Sequence, residues 1–202
     1  DVYKRQVHVG AGMSAELAAR VATGELDAAV TTEPVRPHPS DLVWTELYED
    51  RFWLIAPPGL QGLDAAALLA RMPFIRFDAR AWAGRMIARE LRRLGLKVQE
   101  EMVLDSQEVI LKMVEWGLGV AVLPLPDAVL ARASLTCLPF GDPQMRRHVV
   151  LLERQERPSG RLCAALAGAI RASMETQMRE PVPEPVEGGR RPQAGRRRAE
   201  GG

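Results

Sequence analysis

The chain carries two cysteines, Cys137 and Cys163, and three histidines, His8, His38 and His148, in 202 residues. One cysteine falls in a predicted strand and the other on a predicted helix, so two reduced, packed thiols are expected rather than a disulfide or a metal pair. The histidines are scattered, without ligand spacing and without a cysteine or carboxylate pattern beside them, so neither a metal site nor a cofactor is expected. No run of about eighteen apolar residues is present, which excludes a membrane-spanning helix, and no basic-then-apolar leader opens the chain. A cytoplasmic location is the expectation. The net charge of +1 at pH 7 gives nucleic acid no overall attraction, although the positive charge is unevenly spread.

What is present is ordinary globular composition, 47% hydrophobic and 26% charged, on a chain long enough to bury a sizeable core. The organising stretch is 108–126. Val109, Ile110, Met113 and Val114 make one apolar helical face opposite Glu108, Lys112 and Glu115. Asp105 and Glu108 have capping-box spacing, which predicts a helix starting there. Gly117 suits a left-handed helix end, and Val120-Ala121-Val122-Leu123 is apolar on both faces, as expected of a strand inside a parallel sheet that stops at Pro124. A second helix-Gly-strand unit lies earlier. Residues 14–23 form a helix with Leu17 and Val21 on one face, Ser14 as its N-cap and Gly24 closing it, before a buried strand over 26–30.

Gly24-Glu25-Leu26-Asp27-Ala28-Ala29-Val30 and Val114-Glu115-Trp116-Gly117-Leu118-Gly119-Val120-Ala121-Val122-Leu123-Pro124 resemble two signatures of the effector-binding domain of LysR-type transcriptional regulators. Leu47-Tyr48-Glu49-Asp50 and Met72-Pro73-Phe74-Ile75 stand between them in the matching order. The resemblance spans residues 7–177 and implies an α/β fold of two Rossmann-like lobes joined by two crossing strands, of the type 2 periplasmic-binding-protein kind. It implies lobe I from 7–56 and 148–177, and lobe II from 57–147. In the family a winged helix-turn-helix, a linker helix and the first strand and helix of lobe I come before this region, so DNA contact is expected through parts that precede this chain. A homodimer or homotetramer is also implied.

Along the chain, residues 1–6 are polar, fit neither period and are expected to be a non-native leader. Residues 7–10 are a candidate first strand, Thr31 and Thr32 end the next, and 34–39 is a loop. Residues 42–48 and 52–56 alternate as two strands broken at Glu49-Asp50, with a crossing near Pro57-Pro58-Gly59. A short helix over 64–70, a strand over 74–77 and a longer helix over 81–94 follow, with Ile87, Leu91 and Leu94 inward. Arg85, Arg89, Arg92 and Arg93 on its other side suit a solvated face. Residues 96–104 alternate. A helix over 127–132, a strand over 135–138 and a return strand over 147–153 lead to a final helix over 159–177, with Leu162, Leu166, Ile170 and Met174 as its apolar line. From 178 to 202 Pro, Glu, Gly and Arg dominate, and a disordered basic tail is expected.

No catalytic constellation accompanies this pattern, and no enzyme is expected. Ser14 is followed two residues later by Glu16 where a nucleophile elbow needs glycine, and Gly117-Leu118-Gly119 lies at a helix-to-strand junction whereas dinucleotide loops lie at strand-to-helix junctions. Helix starts at Ser14 and at Arg80-Ala81-Trp82-Ala83 offer free amides that favour an anion by about 0.3 to 1 kcal/mol, about 2 when partly buried. By the resemblance, the ligand pocket takes Ser14, Thr31 and Thr32 from lobe I and Arg80, Trp82, Ala83, Leu118 and Gly119 from lobe II, around a small effector such as a carboxylate. Ser14 serves equally as a plain cap, and Thr31 and Thr32 equally as strand-end residues. A solute receptor of the periplasmic binding type shares the architecture and stands as the alternative.

Overall fold

A single strand, β2 (Leu42–Ala56), is the axis of the fold. The computed structural model describes residues 8–32, 40–132, 134–156 and 160–179. Ahead of β2 come α1 (Ser14–Thr23) and β1 (Ala28–Thr32). After it come α2 (Ala65–Arg71), β3 (Phe74–Phe77), α3 (Trp82–Arg93), β4 (Glu100–Leu104), α4 (Gln107–Glu115), β5 (Ala121–Leu125), α5 (Asp127–Arg132), β6 (Thr136–Pro139), β7 (Arg146–Arg154) and α6 (Gly160–Arg179). The expected leader, the loop over 34–39 and residues 180–202 of the expected tail lie outside the described residues, whereas α6 continues to Arg179, past the expected end at 177. No described helix is long and apolar enough to cross a membrane.

The sequence suggested two strands where β2 is one. Glu49 and Asp50 do not break it, because they stand opposite His148 and Arg147 of β7, and Arg146 and Arg147 supply their counter-charges. The irregularity lies earlier: Glu46 pairs with Val150 and Tyr48 with Val149, so Leu47 is an extra residue, a bulge that turns its side chain into the core. The Glu46 carbonyl at this bulge accepts a hydrogen bond from Arg171 Nε of α6 at 3.0 Å.

The sheet order is β1-β7-β2-β5, with β6 also on β2, and every one of these pairings is antiparallel. From Arg51 on, β5 joins the opposite edge of β2, and along the β7 edge β6 takes over at Trp53, ahead of Pro57-Pro58-Gly59. Strand β5 is therefore not inside a parallel sheet as expected. It runs antiparallel to β2 and touches β3 through one parallel bridge, Phe74 to Val120, while β3 pairs in parallel with β4. Pro124 lies within β5 opposite Phe52. Its missing N–H orphans nothing there, because the Phe52 N–H donates to Met145 O and the Phe52 carbonyl accepts from Phe140 N and Gln144 Nε2.

Three apolar clusters hold these elements. The largest joins Phe52, Leu54 and Ile55 of β2 to Leu68, Phe74, Ile75, Ile87, Leu91, Ile110, Val114, Leu123 and Phe140. Each such side chain contributes about 1.5 to 3 kcal/mol on full burial. A second packs Leu17, Ala18 and Val21 of α1 against Ala29, Leu42, Val150 and Leu152. A third sets Cys163 and Ala167 of α6 on Leu47, Val149 and Leu151. The expected apolar line of α6 is corrected here: Leu162 and Leu166 are about half exposed, and the small residues one step on face the sheet, where they let the helix approach closely. In α4, Ile110 and Val114 are buried as expected but Val109 is half exposed.

Two caps also differ from expectation. The N-cap of α1 is Met13, with Ser14 as the first helical residue, and the N-cap of α4 is Ser106, whose hydroxyl accepts from Val109 N at 3.3 Å in place of Asp105. Residues 8–10 form no strand, and Val9 is exposed without a ladder partner among the described residues. The β1 strand begins two residues later than expected, at Ala28, where its pairing with Glu153 starts.

Candidate functional site

A cavity of about 1130 Å³ opens where three helices start. Its lining takes Gly12 to Ala15 at the start of α1, Arg80 to Ala83 at the start of α3, and Ser106 to Glu108 at the start of α4. Thr32 from the end of β1, Phe77 from the end of β3 and Arg147 from β7 complete it, with Arg85, Met86, Arg89 and Asp105. The arrangement follows from the connections, since β3 runs straight into α3 and β4 into α4, and helix starts gather at strand ends.

The turn before α3 is fixed by Asp78. Its Oδ1 accepts from Arg80 N and its Oδ2 from Arg80 Nε, both at 2.7 Å, while its carbonyl accepts from Ala81 N at 3.0 Å. These hydrogen bonds from Arg80 hold the Asp78 carboxyl below its usual range. Gly84 lets the first turn of α3 press onto this corner, because a Cβ there would stand 2.2 Å from the Asp78 carbonyl oxygen. Neither Met13 nor Ala81 caps its helix with a side chain, so the first-turn amides of α1 and α3 are left to what occupies the cavity. Helix α4, by contrast, is capped by Ser106.

Charge in the cavity is unbalanced: Arg80, Arg85, Arg89 and Arg147 face Asp105 and Glu108. Arg85 is committed to the backbone carbonyls of Ala79 and Arg80. Arg147 donates from Nε and Nη2 to Oδ2 of Asp50, at 2.9 and 2.7 Å. Burial pushes the Asp50 carboxyl up and Arg147 pulls it back part of the way. Such an array presents amides, hydroxyls and guanidinium groups to an anion. It sets no nucleophile beside a base, and among the described residues no three His, Cys, Asp or Glu converge to hold a metal.

Of the residues named from sequence, Ser14, Thr32, Arg80, Trp82 and Ala83 line the cavity together. The Ser14 and Thr32 hydroxyl oxygens are 3.4 Å apart. Thr31, Leu118 and Gly119 are placed elsewhere. Thr31 is buried, and its hydroxyl has no hydrogen-bond partner among the described residues. Gly119 lies against β3, where a Cβ would come 2.5 Å from Pro73 O, and Leu118 is half exposed with its N–H bonded to Met113 O. Sequence reading missed Arg85, Arg89 and Arg147. The first two had a signal, since residues 82, 85, 86 and 89 share one helical face, so that placing Trp82 in a cavity brings the arginines with it. Arg147 joins the site only through strand pairing.

Fold and cleft together define an α/β domain with a large cavity at the starts of three helices. The chain belongs to the LysR substrate binding domain family, which matches residues 4–175. The family is a regulatory domain of transcriptional regulators, and this resolves the choice between regulator and solute receptor. Among solved structures, the regulatory domain of HypT from Salmonella typhimurium in its apo form superposes with a TM-score of 0.65 at 17% identity, covering 85% of this chain and 82% of that one. The Synechocystis PCC6803 CcmR regulatory domain in complex with 2-PG gives 0.61 at 20% identity, covering 81% and 80%. The effector binding domain of QuiR in complex with shikimate gives 0.60 at 12% identity, covering 82% and 79%. In full-length HypT, a hypochlorite-specific LysR-type transcriptional regulator, the match covers 59% of the longer chain. These likenesses establish the type 2 periplasmic-binding-protein-like fold. Among curated proteins none matches this chain.

Proposed function

We propose that the cavity is the effector site of a LysR-type regulator and that it takes a small organic anion, such as a carboxylate, between lobe I (7–56 and 148–177) and lobe II (57–147). The observation that carries this reading is the meeting of two side-chain-uncapped helix starts, at Met13 and Ala81, with the Ser14 and Thr32 hydroxyls and an excess of arginines over carboxylates. Charge-assisted hydrogen bonds are about twice as strong as neutral ones, so this lining favours an anion over a neutral ligand of the same shape. Thr31, Leu118 and Gly119 are not part of the proposed site. CcmR with 2-PG and QuiR with shikimate support a small-molecule effector for a domain of this fold. The remainder of the reading is DNA contact through a winged helix-turn-helix of the full regulator, a homodimer or homotetramer, and a cytoplasmic location.

The test is titration of the chain with a panel of small carboxylates and their neutral amides, followed by Trp82 fluorescence with Trp82→Phe as the reference. Carboxylates binding at least tenfold more tightly than their amides, and weakened by Ser14→Ala, is the expected result. Equal affinity for acids and amides would remove the anion from the proposal.

A further inference from the structure

We propose that Arg147 is the residue that reads the charge of the effector, and that it does so while anchored to Asp50, so that effector binding is felt directly in the pairing of β2 with β7. This rests on the cavity being an anion site and adds to it the specific contact and its route into the fold.

Among the cavity arginines, Arg147 is set apart by its anchor. Arg80 is largely exposed and held by Asp78 within its own turn, and Arg85 is spent on backbone carbonyls. Arg147 is nearly buried, its side chain 14% exposed, and its partner Asp50 is 2% exposed. Both of its hydrogen bonds go to the same oxygen, Oδ2. Among the described residues Nη1 therefore has no hydrogen bond, and the buried Oδ1 of Asp50 has no partner. A guanidinium fixed at one edge and open at another loses little side-chain freedom when it takes a second anion, and a planar fork suits a carboxylate.

The position gives the contact its consequence. Asp50 and Arg147 are register partners one step before the pairing of β2 with β7 ends at Arg51, where β5 joins the other edge and β6 follows on the β7 edge at Trp53. An anion taken by Arg147 competes with Asp50 for the guanidinium and weakens the cross-strand pair at that end of the β2–β7 pairing. Burial raises the Asp50 carboxyl even with Arg147 pulling it down, so one guanidinium does not fully offset the buried charge. Among the described residues no other charged side chain lines the cavity from β2 or β7.

The experiment uses the full chain and isothermal titration with benzoate, succinate and inorganic phosphate, with benzamide and succinamide as neutral counterparts. Because Arg147→Gln alone strands a buried carboxylate, the principal variant is Asp50→Asn with Arg147→Gln, which keeps a neutral hydrogen-bonded pair. The double variant is expected to lose at least tenfold of the acid-over-amide preference while amide affinity stays within threefold. An acid-over-amide preference that survives in the double variant overturns the inference and leaves Arg147 as a structural partner of Asp50. If Ser14→Ala weakens acid binding while the double variant does not, only this inference falls. If no acid binds, or binding ignores both sets of substitutions, the cavity reading falls with it.

Discussion

Asp50 and Arg147 stand directly opposite one another in β2 and β7, with two guanidinium nitrogens 2.9 and 2.7 Å from one carboxylate oxygen. The pair is buried, and the second carboxylate oxygen has no partner among the described residues, so the interaction is costly to break and imperfectly satisfied when made. Asp50→Asn or Arg147→Gln alone should each destabilise the fold by about 3 to 5 kcal/mol, since each leaves a buried charge behind. The double substitution should cost clearly less than the sum. A urea-denaturation double-mutant cycle measures this, and additive losses would show that the two side chains are not coupled.

The pH dependence of that pair has a definite sign. Burial raises the Asp50 carboxyl above 3.8, so the folded protein holds this proton more firmly than the unfolded chain. The stabilisation from this group is complete below the unfolded value and is lost as pH rises from 3.8 through the raised folded value. Asp78 and Glu90 run the other way: their carboxyls are lowered from 3.8 and 4.5 by hydrogen bonds from Arg80 and Arg93, and their contribution is lost as pH falls through the folded values. Relative to the wild type, the Asp50→Asn/Arg147→Gln variant should therefore gain stability as pH rises through the Asp50 window. Urea midpoints of both proteins across that window test it, and a constant difference would contradict the raised carboxyl.

Gly119 marks packing rather than ligand contact. Its α-hydrogen faces the Pro73 carbonyl oxygen, where a Cβ would stand 2.5 Å away, at the place where Val120 N donates to that same oxygen at 2.9 Å. Gly119→Ala should force β5 off β3 and cost about 1 to 3 kcal/mol, the usual range for overpacking. Differential scanning calorimetry without ligand would detect it. An unchanged melting temperature would show that the β3–β5 junction yields freely.

What could be read from sequence were the local rules. Gly24 and Gly117 both close helices with φ of 80°, and the apolar spacing of α3 and the run of β5 placed those elements within a few residues. Caps were misplaced by one residue because Ser14 and Asp105 have suitable side chains while Met13 and Ser106 hold the extended backbone that a cap needs. The continuity of β2 was not legible, since Asp50 looks like a break until Arg147, 97 residues later, is placed opposite it. For the same reason Arg147 was missed at the site. Ser14, Thr32, Arg80, Trp82 and Ala83 came from a family resemblance, and no periodicity would have grouped them.

On α6 the exposed Leu162 and Leu166 stand one residue before the buried Cys163 and Ala167. Leu162→Ser with Leu166→Ser should change monomer stability by no more than about 0.5 kcal/mol, as for exposed positions generally. If the domain pairs through this helix, the same variant should sediment as a monomer at tens of micromolar where the wild type sediments as a dimer. A variant that remains dimeric would place the pairing surface elsewhere, and a wild type that is already monomeric would show that the domain does not pair. Ala167→Leu is the contrast, since a larger residue between α6 and the sheet should cost about 1 to 3 kcal/mol.

Ser14 separates ligand binding from helix capping more cleanly than its sequence position suggested. Met13 is the N-cap, and among the described residues the Ser14 hydroxyl has only Thr32 at 3.4 Å, a long and weak hydrogen bond. Ser14→Ala should therefore leave the unliganded melting curve nearly unchanged, within about 0.5 kcal/mol, where loss of a true cap would cost about 1. A hydroxyl that donates to a bound carboxylate is worth about 1.5 to 3 kcal/mol, so effector affinity should fall roughly ten- to a hundredfold. Thr32→Val should produce a smaller loss in the same direction, because it removes the neighbour that holds the Ser14 hydroxyl toward the cavity. Calorimetry without ligand and titration with the best-binding carboxylate of the panel measure the two effects on the same protein. A lowered melting temperature with unchanged affinity would assign Ser14 to the helix and remove it from the site.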